Sequence, residues 1–318
     1  MIVAMFLAAT LGGLVLLWLA SDQFVVGASS LAARLNISPL VVGVVVMGFG
    51  TSAPELVVSA VAALSGSPEV GIGNVVGSNL ANLTLVLGVA ALMSPLTVSS
   101  GVIRREAFLA LGATVAFAVA VQGDLHRWEG ILLMVLLAGV LVLLVRSAQR
   151  VPAPEPPVET SAEPASRAAG RPALRDGVRT LLALLAIVVG ADLLVRGALG
   201  IADLAGLSGG FVGVTVVALG TSLPELATAI AAARRGETNL IIGNLLGSNL
   251  FNALAVGGVV ITIAPGPFHE PNLTTIGTAA MVAAALVALA FMRTGHRVGR
   301  VEAALLIVGY VAVLPLLM

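Results

Sequence analysis

GFGTSAPEL at residues 48–56 reappears as ALGTSLPEL at 218–226, and GNVVGSNLAN at 73–82 reappears as GNLLGSNLFN at 243–252. Residues 38–83 align with 208–253 without a gap, with 22 identities in 46 positions at a constant offset of 170. The match continues more thinly through Asp22 and Gly27 against Asp192 and Gly197, and through Gly88 against Gly258. An internal repeat of this length decides the architecture before any single element does. Helix packing alone accounts for the shared glycines, because Gly73 with Gly77 and Gly243 with Gly247 have the small-xxx-small spacing of close helix contacts. It does not account for the shared Thr, Ser, Glu and Asn.

Those polar residues matter because of what surrounds them. The 318 residues are 58% apolar and 10% charged, with a mean hydropathy of +1.09. Soluble domains carry about 25% charged residues, so this composition describes a membrane protein with many spans. Counting stretches of about 20 apolar residues gives spans near 3–20 (running on toward 33), 38–64, 70–93, 103–121 and 129–146. A second set lies near 178–204, 210–233, 239–263, 272–292 and 301–317. Matched positions are separated by five spans, an odd number, so the halves enter the membrane from opposite sides. The expected fold is therefore an all-α integral membrane protein of ten transmembrane helices in an inverted five-plus-five repeat. Its parts are 1–146, a flexible linker at 147–176 rich in Pro, Ala and Glu, and 177–318.

All sixteen basic residues are arginines. Arg34, Arg104, Arg105, Arg146, Arg150, Arg167, Arg171, Arg175 and Arg179 flank alternate loops on one side, where Arg234, Arg235, Arg293, Arg297 and Arg300 also fall. Arg127 falls on the other side, and Arg196 lies deep in the sixth span toward it. The positive-inside rule makes the arginine-rich side cytoplasmic and both termini extracytoplasmic, in the inner or plasma membrane. A formal net charge of zero offers nothing to nucleic acid. No obligatory protein partner is evident; the surroundings are the lipid bilayer. The absence of Cys excludes disulfides and thiolate chemistry, and His126, His269 and His296 lie between apolar stretches.

Glu55 and Glu225 lie mid-span, each directly after a proline. A charge at the bilayer centre costs about 3 kcal/mol on insertion scales and is tolerated beside a partner or a water-filled cavity. No basic residue lies at that depth, so a bound cation is the natural counter-charge. Pro54 and Pro224 free the carbonyls of Gly50 and Gly220 and let the preceding Gly-Thr-Ser unwind, breaking helices 2 and 7 at the midplane. Thr51 shares a helix face with Glu55, and Thr221 with Glu225. Asn74, Ser78 and Asn82 form one polar stripe, and Asn244, Ser248 and Asn252 a second. Facing the two breaks, these would complete a cage of oxygen ligands suited to Ca²⁺ or Na⁺, and poorly suited to Cu or Zn. Asn79 and Asn249 project off the stripes, either toward the site or as ties between helices.

The paired GTSxPEL and GNxxGSNxxN segments resemble the alpha-repeats of the sodium/calcium exchanger family, within the Ca²⁺:cation antiporter superfamily, over essentially the whole chain. The resemblance implies a prokaryotic-type antiporter, not an enzyme, that needs no cofactor and transports Ca²⁺ and Na⁺. By position, it implies that Glu55 and Glu225 are shared ion ligands and that Thr51, Ser52, Thr221 and Ser222 supply further oxygens. The carbonyls of Gly48 and Ala218 would contribute, Ser78 and Ser248 would complete flanking Na⁺ sites, and Asn82 would lie at the centre. Asn252 departs from the Asp found there in well-known members, which leaves two formal negative charges and puts the Na⁺ count, proton sensitivity and K⁺ co-transport in question. The short linker lacks the regulatory Ca²⁺-binding insertion of animal exchangers. Alternating access would come from the first and sixth spans sliding against the core, by analogy with the family. The competing readings are Ca²⁺/H⁺ antiport on the same glutamates, a cation channel lined by the polar stripes, and, with little in its favour, an intramembrane hydrolase.

Overall fold

Polar side chains inside apolar helices have to be screened from lipid, and the helices that carry them take the centre of the bundle. The computed structural model describes residues 2–35, 37–148, 173–204 and 220–316. Among them, α1 spans Ile2–Leu35, α2 Pro39–Thr51, α3 Ala53–Leu64 and α4 Pro68–Met93, followed by α5 at 100–120 and α6 at Arg127–Ala148. The second half supplies α7 (Ala173–Leu204), α8 (Leu223–Arg234), α9 (Thr238–Ile263), α10 (Asn272–Arg293) and α11 (Arg300–Val313). Helices α4 and α9 begin and end at the repeat offset of 170, as do their π-helical turns at Asn82–Val86 and Asn252–Val256.

Six described helices are long and apolar enough to cross a membrane, and seven if α2 and α3 are one bent span. The chain is a helical membrane protein. The α4 and α9 windows are 78% and 83% buried against 17% for α1, which places the motif-bearing helices inside and leaves α1 facing lipid. Helix α6 runs on to Ala148 and α7 starts at Ala173. The first span is one unbroken helix to Leu35. The segment 205–219, with half of the predicted seventh span, lies outside the described residues.

Helix α1 packs antiparallel on α7, with Gly13 against Gly190 and Leu194, and Gly197 against Phe6 and Thr10. Helix α2 lies along α9 at backbone distance. A Cβ on Gly247 would sit 2.4 Å from the Val44 carbonyl, and one on Gly243 2.4 Å from that of Leu40. Small-xxx-small spacing does on α9 what it promises, bringing two helix backbones together. Two extended contacts link the halves: Leu96–Thr97 pairs antiparallel with Arg297–Val298 beyond the end of α4, and Leu125 pairs with Gly266 beyond the end of α5. Repeat partners Gly66 and Gly236 end α3 and α8 at φ of 81° and 69°, a conformation that favours glycine in those tight turns.

Candidate cation-binding site

Helix α2 stops at Thr51 and α3 starts at Ala53, with a bend of 40° between them. Only Ser52, at φ −87° and ψ 5°, leaves the helix. The break is thus narrower than an unwound Gly-Thr-Ser, since Gly50 and Thr51 stay helical. Pro54 falls in the first turn of α3, where a missing N–H costs least, and Ser52 still donates its N–H to the Gly48 carbonyl at 3.3 Å. The second half repeats this locally: Ser222 leaves the helix at φ −86° and ψ 3°, and α8 begins with Leu223-Pro224-Glu225. Both glutamates therefore stand in the first turn of a helix, where the positive end of its dipole favours a carboxylate.

Glu55, Glu225, Thr51, Ser52, Thr221, Ser222, Ser78, Asn82, Ser248 and Asn252 are all buried. Their hydrogen bonds cross between the halves. Thr51 donates to Asn244 Oδ1 at 3.2 Å, and its repeat partner Thr221 donates to Asn74 Oδ1 at 3.1 Å. The two asparagines reach back into their own halves through Nδ2, Asn74 to Ser59 at 2.9 Å and Asn244 to Thr228 at 3.1 Å. Each asparagine thus holds its own α3 or α8 and the threonine of the opposite break. Ser248 Oγ lies 3.3 Å from Thr51 Oγ1 and 3.3 Å from the Gly48 carbonyl, joining three predicted ligands in one cluster. Ser78 donates to Asn74 Oδ1 at 3.4 Å. Ala218 lies outside the described residues.

The two carboxylates are treated unequally. Glu225 Oε1 accepts from Ser52 at 3.2 Å and Ser248 at 3.4 Å, whereas both oxygens of Glu55 and Oε2 of Glu225 are buried without a hydrogen-bond partner. The side chains of Asn82 and Asn252, and Ser222 Oγ, are unpartnered in the same way. Buried polar atoms without partners are rare because each costs about 1–3 kcal/mol, and more when charged. Among the described residues, such atoms all belong to the two repeated motifs except Glu106 Oε2. Ser52, three residues before Glu55, donates to Glu225 Oε1, so the two glutamate-bearing turns adjoin. Two like charges in one buried pocket repel unless a cation or protons neutralise them. Among the described residues no group of three or more His, Cys, Asp or Glu assembles, so any ion here meets two carboxylates and otherwise neutral oxygens. That donor set suits hard cations.

Four other residues take clearer roles. Asn249 donates to the Asn79 carbonyl at 3.0 Å and Asn79 Nδ2 meets Met281 Sδ at 3.7 Å, so their amide nitrogens tie helices together, while the Oδ1 of each is buried without a partner. Asp22 and Asp192 face outward, paired with Arg235 at 2.8 Å and Arg196 at 2.8 Å. Sequence reasoning missed Ser59 and Thr228, which anchor the site asparagines. They occupy non-equivalent repeat positions, so the repeat gave no signal for them.

The family described as sodium/calcium exchanger protein matches residues 5–146 and 178–318. The putative antiporter CaxA of Alkalimonas amylolytica is 38% identical over 302 residues, covering 94% of this chain and 94% of its own. The sodium/calcium exchanger MaX1 of Methanosarcina acetivorans is 34% identical over 337 residues, covering 96% of each chain. Among solved structures, the sodium-calcium exchanger NCX_Mj soaked with 10 mM Na⁺ and zero Ca²⁺ matches with a TM-score of 0.85 at 29% identity, covering 98% of this chain and 99% of that one.

Proposed function

The chain belongs to the sodium/calcium exchanger protein family, and from that premise we propose that it exchanges Na⁺ for Ca²⁺ across the membrane at one site built on Glu55 and Glu225. The observation that carries this reading is the state of the glutamates. Three of their four carboxylate oxygens are buried without a protein partner, inside a ring of Ser, Thr and Asn oxygens contributed by both halves. Two carboxylates balance one Ca²⁺, and Na⁺ ions competing for the same oxygens would couple the two fluxes. The reading takes the fold to be ten helices in an inverted repeat. The matched bounds and π turns of α4 and α9, and the crossed Thr51–Asn244 and Thr221–Asn74 bonds, are what a pseudo-two-fold between the halves requires.

In this reading each side gains access in turn, with α1 and α7 moving against the rest. Their packing supports it: they bury glycines against each other, and α1 reaches α8 and its following turn through the exposed Asp22–Arg235 pair and a Ser29–Glu237 hydrogen bond of 2.9 Å. Exposed pairs of this kind are worth about 0–1 kcal/mol and part easily.

Purified protein in liposomes tests the proposal through Ca²⁺ uptake. An imposed Na⁺ gradient should drive uptake, and a pH gradient alone should not. Uptake driven only by pH would sink Na⁺ coupling, and flux that needs no counter-ion would indicate a channel. Glu55→Gln and Glu225→Gln should each abolish exchange while leaving insertion intact, because each leaves a single carboxylate against a divalent ion.

A further inference from the structure

The α1–α7 pair carries a groove of about 640 Å³. Small residues form its floor, Ala20, Ala183 and Ala186, and long ones its walls, with Leu19 and Leu182 more than half exposed. At one end stand Arg175, Arg179 and Gln23, where Arg179 Nε donates to Gln23 Oε1 at 3.1 Å and fastens the two helices together. The one carboxylate lining the groove, Asp176, is buried and already paired with Arg34 at 2.5 Å. Its charge is answered from the side, which leaves the groove mouth positive through Arg175 and Arg179.

We propose that this groove binds one anionic phospholipid of the cytoplasmic leaflet, with its phosphate at Arg175 and Arg179 and an acyl chain along the alanine floor. Depth supports the assignment. Arg179 and Ala186 are seven residues apart, roughly 10 Å along a helix, which is the step from headgroup level into the hydrocarbon. Charge supports it as well, since an arginine near an anionic membrane surface contributes about 1 kcal/mol, and guanidinium matches phosphate through paired N–H donors. A soluble anion would use the arginines and leave the apolar floor uncovered. The inference rests on the orientation read from the arginine distribution, which makes the arginine-rich side cytoplasmic; it does not depend on which ions are exchanged.

Native mass spectrometry of the full chain in detergent, with phosphatidylglycerol, phosphatidylcholine or inorganic phosphate added separately, tests it. Phosphatidylglycerol should remain bound under activation that strips phosphatidylcholine, and phosphate alone should leave no adduct. The double substitution Arg175→Gln with Arg179→Gln should lower phosphatidylglycerol retention roughly thirtyfold, toward the level of phosphatidylcholine. Arg175→Lys with Arg179→Lys should keep most of it and confirms that the altered protein is folded. Arg293→Gln with Arg297→Gln, on the same side but off the groove, should change nothing. Equal retention of both lipids, an undiminished preference in the glutamine variant, or an equal loss in the distant variant would overturn the proposal, and a phosphate adduct would replace the lipid with a soluble anion. Failed Na⁺-driven Ca²⁺ uptake would leave these lipid results untouched, so the two readings fail separately.

Discussion

Glu55 and Glu225 occupy matched positions, yet the protein does not treat them alike. Ser52 and Ser248 hold one oxygen of Glu225, while neither oxygen of Glu55 meets a side-chain donor. Under the proposed function Glu225 is the fixed wall of the site and Glu55 the group whose environment changes most when an ion enters. Asn252 ends its repeated motif with both polar side-chain atoms buried and unpartnered, as does Asn82. Asn252→Asp would add a third carboxylate, charged at high pH and neutralised as pH falls. Exchange in that variant should show an altered pH dependence, or a changed Na⁺ count per Ca²⁺, measured in liposomes across a pH series. Superimposable profiles would show that this position does not touch the transported ions.

At the scale of elements, the polar stripes are useful only because helices approach closely enough to share them. Gly243 and Gly247 allow α2 to lie on α9, which brings the Gly48 carbonyl and Thr51 to Ser248. Gly247→Ala should therefore cost about 1–3 kcal/mol by overpacking, read as a lower melting temperature, and should impair transport together with stability. Gly139→Ala on α6, where an added Cβ meets nothing within 4 Å, is the matched control and should be neutral or slightly stabilising. Melting curves that overlay for Gly247→Ala and the parent would mean that α2 and α9 are less tightly engaged. The repeated motifs made α4 and α9 legible as partners of the broken segment. The width of the break was not legible, because proline chemistry says that a helix is interrupted and the neighbouring turns decide how far.

For the whole molecule, the orientation is a proposal read from the sequence, in which fourteen arginines group at one side, Arg127 falls on the other and Arg196 lies within a span. The natural chain contains no cysteine, so single cysteines report without background. A cysteine replacing Arg297 should react with a membrane-impermeant maleimide only from the cytoplasmic side, and one replacing His126 only from outside. Labelling of both from one side would reverse or break the proposed inverted arrangement.

The amino-acid sequence determined the class of protein, the repeat, the identity of the paired glutamates and the polar stripes beside them. Each is a local or periodic property: apolar length, a fixed offset, and costly residues that no lipid-facing helix keeps without a use. Tertiary structure decided what depends on two distant segments meeting. It crossed the bonds so that Thr51 serves the Asn244 side and Thr221 the Asn74 side, recruited Ser59 and Thr228 from unmatched positions, and gave Glu225 partners that Glu55 lacks. A repeat in sequence is symmetric by its spacing, whereas hydrogen bonds form between whichever side chains packing brings within about 3 Å.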